Sequence, residues 1–257
     1  FVAHVDVMHN GAYVASKYGY SRPQVDNAEV NSKTKSYVLF EELRHPLIEH
    51  LNGEELYVTN DIGIGRNDEE KIDNDVTLLY GTNAVGKTSI IRAIGISIIL
   101  AQSGLFVPCS KMKYLPYTRL FTRIIGNDNL FKGMSTFAVE MSELRVILNQ
   151  TDERSIVLGD ELCSGTEHNS AVNIFVSGII ELHNKHVSAI FATHLHEIVD
   201  YEEITNLKRL SMKHLTVRYD KEKDLLIYDR KLKEGSGDSM YGLEVCKSLH
   251  LPDEFLD

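Results

Sequence analysis

The chain has 257 residues, enough for one large domain or one domain with an appendage, and 43% of them are hydrophobic, which excludes global disorder. Asp and Glu outnumber Lys and Arg by 37 to 27 for a formal charge of −10, the opposite of the balance expected of a free-standing nucleic-acid grip. Cys109, Cys163 and Cys246 form no CxxC pair, which points to reduced thiols in an intracellular protein. The longest apolar run, Ile94 to Leu100, is too short to span a bilayer, so no membrane association is expected.

In chain order, Val5, Met8, Ala12 and Ala15 share one helical face and predict a helix over residues 1–18. Residues 19–31 are polar, contain Pro23 and read as a connector, with a boundary near Ser36. Residues 37–40 look like a strand, and Pro46 argues against a helix running through residues 41–49. Residues 61–75 form a charged stretch whose Gly63-Ile64-Gly65, with no helix after it, reads as a surface hairpin or loop. Residues 75–80 are a buried strand and 89–100 a helix, followed by a turn at Ser103-Gly104 and Pro108. A strand over 118–125 leads to a polar loop over 127–135. Ser135 caps a helix through Phe137, Val139, Met141, Leu144 and Leu148. Residues 155–159 are a second buried strand, 169–182 a helix and 187–192 a third strand. Residues 207–217 and 225–232 form a strand pair. The fold expected is α/β: a mostly parallel sheet flanked by helices, with an antiparallel strand pair at one end and the ligand at the strand C-termini.

The chemistry concentrates at three strand ends. Gly81-Thr82-Asn83-Ala84-Val85-Gly86-Lys87-Thr88-Ser89 fits G-x-x-x-x-G-K-[ST] between a strand and a helix, the context that pattern requires. Gly81 and Gly86 let the loop curl so that backbone N–H groups face phosphate oxygens, and the helix N-terminus adds partial positive charge. Lys87 reaches the β- and γ-phosphates, and the Thr88 hydroxyl ligates Mg²⁺. The second strand ends in Asp160-Glu161, which gives a Mg²⁺ ligand opposite Thr88 and a general base for the attacking water. His194 ends the third strand and either bonds the γ-phosphate or the attacking water, or is a satisfied loop histidine. His194 and His196 lack a third ligand at zinc spacing, and His183 and His186 read as solvent-facing or capping. Asn184-Lys185-His186-Val187 lacks the Asp of a guanine-reading N-K-x-D pattern.

Taken together, Arg44-His45-Pro46, the phosphate loop, Phe121-Thr122-Arg123, Ser135-Thr136-Phe137-x-Val139-Glu140-Met141, Asp160-Glu161-x-x-x-Gly165-Thr166, Phe191-Ala192-Thr193-His194 and Tyr241-Gly242-Leu243 resemble the ATPase domain of the MutS mismatch-repair family, in the family's order. The resemblance implies an ABC-like P-loop NTPase over residues 37–257. Residues 1–36 are then a remnant of the preceding helical lever and core with a connector. It implies ATP and Mg²⁺ as cofactors, ATP hydrolysis, and a dimer with a second MutS-type subunit, identical or related. It also implies binding of mismatched or branched double-stranded DNA through domains mostly absent here. Carried over residue by residue, Ser135 faces the γ-phosphate of the partner subunit's ATP, Asn83 contacts the γ-phosphate within its own loop, and Tyr57 and His214 flank the adenine. Thr82 stands where the family usually has Pro, Ala84-Val85 where it has Met-Gly, and Cys163-Ser164 where Gly-Arg or Gly-Lys is common. The last departure bears on which DNA structure is recognised more than on hydrolysis. Two other classes are weighed beside this one: an ABC-type ATPase of the structural-maintenance kind acting in recombination, and a nucleotide-gated interaction module with little hydrolysis. The short run from Gly86 to Asp160 leaves no room for a long coiled coil, and the intact Lys87, Asp160 and Glu161 argue against the module.

Overall fold

A computed structural model describes residues 1–26, 35–51, 56–82, 85–123, 136–163, 166–220, 222–223, 225–237, 246 and 248–249. The first half of the chain runs α1 (Val2–Tyr18), β1 (Gln24–Val25), β2 (Tyr37–Leu43), α2 (Ile48–Leu51), β3 (Asn60–Asn67), β4 (Ile72–Asn74), β5 (Val76–Tyr80), α3 (Lys87–Gln102), β6 (Lys111–Leu115) and β7 (Arg119–Arg123). The second half adds α4 (Thr136–Gln150), β8 (Ser155–Asp160), α5 (His168–Asn184), β9 (Ser188–Thr193), a 3-10 turn over His196–Asp200, α6 (Glu202–Thr205), β10 (Leu210–Asp220) and β11 (Leu225–Glu234).

The expected sheet is present as six strands in the order β11-β10-β5-β9-β8-β7. Every pairing in it is parallel except β10 with β11, the antiparallel pair at one edge. Strands β5, β8 and β9 are buried along their whole length, as strands covered on both faces must be. Side chains alternate across this sheet. Leu79, Leu158 and Ile190 enter one core with α3. Val76, Leu78, Tyr80, Val157 and Phe191 enter the other with α5 and the buried side of α4.

A second sheet, not anticipated from the sequence, has the order β1-β6-β2-β3-β4. Its Val38, Phe40, Ile62, Ile64, Met112 and Tyr114 close the far side of the α3 core. Helix α3 is thus held between two sheets, which explains why its apolar residues run round most of its circumference. Gly63-Ile64-Gly65 lies inside β3, which forms a hairpin with β4 as one of the two readings had it; the surface placement is corrected, because Ile62 and Ile64 are in the core. Gly65 adopts φ 102°, and a Cβ there would sit 2.6 Å from the Ser36 carbonyl, so the close approach of β2 demands glycine. The predicted first helix forms, yet its expected apolar face is open: Val5 and Met8 are 48% and 50% exposed, and Ala15 is its one buried residue.

Candidate nucleotide site

Parallel pairing sets Tyr80 opposite Thr193 and Asp160 opposite Ala192, so β5, β8 and β9 deliver Gly81, Asp160-Glu161 and His194 to the same edge of the sheet. This is where open α/β sheets place their ligands. Gly81 adopts φ 146°, and a Cβ on it would come within 3.0 Å of Val85 Cγ1 and 3.1 Å of the Leu215 carbonyl. Gly86 adopts φ 117° with open space around it, so its requirement is conformational. Asn83 and Ala84 lie outside the described residues, as does Ser135. Helix α3 begins with no side-chain cap and no acid in its first turn, which leaves its leading N–H groups and their dipole to an anion. Ser89 sits in that first turn.

Lys87 is only 4% exposed and folds back on its own loop. Its Nζ donates to the Gly81 carbonyl at 2.5 Å and the Thr82 carbonyl at 2.8 Å. Burial pushes its ammonium down from 10.5 to about 8, against the opposing pull of Glu161 and Asp160. Thr88 Oγ1 donates to Asp160 Oδ2 at 2.6 Å. A hydroxyl and a carboxylate in contact form the hard-oxygen donor pair that suits Mg²⁺, so these residues fit that cation. His194 Nε2 lies 2.6 Å from Glu161 Oε1 and 3.4 Å from Lys87 Nζ. A carboxylate can only accept, so the imidazole carries its proton on Nε2 and donates it to Glu161. That tautomer cannot also accept from Lys87, and the longer contact is one of charge and dipole. Both readings of His194, a partner of the γ-phosphate or attacking water and a satisfied histidine, are compatible with this bond to Glu161.

The turn after β8 is strained. Glu161 and Cys163 adopt φ 51° and 68°, left-handed values that cost a non-glycine residue roughly 1–2 kcal/mol each. Glycine would be free of that cost.

Beside the loop is a cavity of about 110 Å³ lined by Ile48, Tyr57, Asn60, Val85, Ser89 and Arg230, among others. Burial pushes the Tyr57 phenol up. His214 is not among the described lining residues: it lies on β10 opposite Tyr80 and donates from Nδ1 to the Gly235 carbonyl at 3.0 Å. The structure therefore does not bring Tyr57 and His214 together on this cavity. Arg230, from β11, was not singled out from the sequence, because only the fold carries β11 across to β3. The buried Asn60 amide makes that junction, donating to the Arg230 carbonyl at 3.0 Å and accepting from Leu232 N–H at 2.7 Å.

A larger cavity, about 370 Å³, lies at the opposite edge of the sheet and is lined by Lys35, Arg66, Glu153, His186 and Arg209 among others. The fully buried Asp75 pairs with Lys35 and with Arg209 Nε at 2.9 Å. His186 is solvent-facing as expected, with 43% of its side chain exposed, and it also belongs to this cluster. Its Nδ1 accepts from Arg209 Nη2 at 2.8 Å, and burial together with Arg209 holds the ring below the ordinary histidine range. These contacts tie the start of β5 to the end of α5.

Among the described residues no helix is long and apolar enough to cross a membrane. Residues 77–257 match the family model described as MutS domain V. The chain is 37% identical over 286 residues to a mutS homolog of Acanthamoeba polyphaga mimivirus, covering 100% of this chain and 25% of that protein. It is 38% identical over 244 residues to the mitochondrial DNA mismatch repair protein mutS homolog of Sarcophyton glaucum, covering 95% and 23%. It is 32% identical over 258 residues to the DNA mismatch repair protein MutS of Staphylococcus haemolyticus, covering 100% and 27%. The chain thus spans about a quarter of the length of these curated relatives.

Proposed function

This chain belongs to the MutS family, and we propose that it is an ATP-binding and ATP-hydrolysing module that couples the state of a dimer to the binding of mismatched or branched DNA. The observation that carries the reading is the convergence of Lys87, Thr88-Asp160 and Glu161-His194 on one edge of the sheet.

Lys87 exchanges the Gly81 and Thr82 carbonyls for phosphate oxygens, recovering full charge as it does so. The loop from Gly81 to Ser89 supplies N–H groups to the same oxygens. Thr88 and Asp160 hold Mg²⁺, which when bound offsets charge on the phosphates. Glu161 takes a proton from the water that attacks the γ-phosphorus. The bond to the bridging oxygen breaks, and ADP and phosphate leave. His194 holds the Glu161 carboxylate from the side and orients it. Tyr57 stacks on the adenine, with Arg230 close by. Ser135 serves the site of the partner subunit, so hydrolysis belongs to the dimer. DNA is gripped by other parts of the protein, in keeping with the acidic balance of this chain.

Glu161→Gln keeps the shape and removes the basicity. ATP affinity should stay within about twofold, while phosphate release falls at least about a hundredfold. Nucleotide titration and a phosphate-release assay decide it. A wild-type chain that binds ATP but releases no phosphate would make this a nucleotide-gated interaction module.

A further inference from the structure

Glu140 is an acid in the core, 1% exposed on α4. Its Oε1 accepts the Cys163 backbone N–H at 2.6 Å, and the same oxygen lies 3.6 Å from Arg123 Nη2. Arg123 also reaches Glu143 Oε2 with Nε at 3.2 Å. Arg123 is the last residue of β7, so these ion pairs join the end of that strand to α4.

Cys163 sits two positions after Glu161, in the turn where both residues adopt left-handed backbone angles. Side chains hold such angles only where the surroundings over-determine them, and such positions cluster at functional sites. Two N–H groups pin this turn. Glu161 N–H donates to the Ala192 carbonyl of β9 at 3.1 Å, and Cys163 N–H donates to Glu140. A buried carboxylate accepting from a backbone N–H is a strong tether, with little water to compete for it. If the turn relaxed, Glu161 would lose the angle that sets it 2.6 Å from His194.

We infer that Glu140 is a positioning residue for hydrolysis, holding the strained turn that aims Glu161 and joining that turn to α4. The inference rests on the hydrolytic reading above and adds a route for regulation. A contact made on the first turns of α4 reaches the turn that carries Glu161 through the Glu140 side chain.

Two variants, one isosteric and one shorter, distinguish the need for a placed acceptor from the need for a charge beside Arg123. Glu140→Gln keeps an acceptor for Cys163 N–H, loses the charge and leaves Arg123 paired with Glu143. Glu140→Asp keeps the charge and withdraws the acceptor by one methylene. With the full chain, Mg²⁺ and ATP, Glu140→Asp should lower kcat at least about tenfold, and Glu140→Gln less than about threefold. In both, ATP Kd should stay within about twofold of wild type, because Lys87 and Thr88 are untouched. A general loss of folding would move Kd, kcat and the melting temperature together, and that result would overturn the role. So would Glu140→Asp hydrolysing like wild type, or Glu140→Gln falling as far as Glu140→Asp. A wild-type chain that binds ATP without hydrolysing it overturns the hydrolytic reading itself. Wild-type hydrolysis with an unaffected Glu140→Asp overturns this role alone.

Discussion

Lys87 shows how burial tunes a single side chain. When folded it loses its proton near pH 8, whereas the unfolded side chain keeps it to about 10.5. Between those values the unfolded chain binds more protons, so folding stability rises with pH across that window. Below pH 8 the buried charge is a cost to the fold. Phosphate oxygens favour the charged form, so ATP binding at pH 8 should draw about half a proton from solution. Calorimetry in buffers of different ionisation enthalpy measures this uptake, and Lys87→Ala should abolish it. The same variant removes a charge-assisted contact of roughly 1.5–3 kcal/mol and should bind ATP at least about tenfold more weakly. Unchanged affinity would mean that this loop is not the phosphate site. Residues such as Lys87, Thr88, Asp160 and Glu161 were legible because the loop pattern is local and the acids end an apolar strand. Glu140 was visible only as a letter of a motif and Arg230 was not singled out, because their contacts to Cys163, Arg123 and Asn60 are made only in the fold.

At the scale of elements, the close packing of β8 against β9 is the most exposed to test. A Cβ added at Gly159 would stand 2.2 Å from Phe191 Cδ1 and 2.5 Å from Cε1. The Phe191 ring is 2% exposed and meets Phe175 edge-on at 5.7 Å, so it has nowhere to retreat. Gly159→Ala should therefore destabilise the chain by roughly 1–3 kcal/mol in a denaturant titration. Because Gly159 immediately precedes Asp160, the damage should extend to the Thr88 contact and weaken Mg²⁺-dependent ATP binding. A variant as stable as wild type would show that the Phe191 ring can move aside. Strands β5, β8 and β9 were readable as unbroken apolar runs, and β10 with β11 as a pair around an acidic turn. The second sheet was hidden for specific reasons. Lys111 and Lys113 interrupt β6, though they answer Glu41 and Glu70 across the sheet. Two glycines thin out β3, and β1 is two residues long. Such strands gain their stability from pairing and from the α3 core, and neither is visible in a local window.

At the scale of the molecule, two sheets enclose α3, and the edge proposed to take nucleotide is one side of that arrangement. The chain spans about a quarter of its curated relatives, so contacts to DNA are proposed for the rest of such a protein, and the composite site for its dimer. The central claim is that ATP bound at one chain recruits a second and is then hydrolysed there. The direct measurement is sedimentation of Glu161→Gln at fixed protein concentration with ATP, with ADP and without nucleotide. Binding without consumption favours the associated state by mass action. The mass should shift toward twice that of the chain with ATP, and it should stay lower with ADP or no nucleotide. An unchanged mass at saturating ATP, together with a wild-type hydrolysis rate per chain that does not depend on protein concentration, would contradict the account and leave a self-contained ATPase in its place.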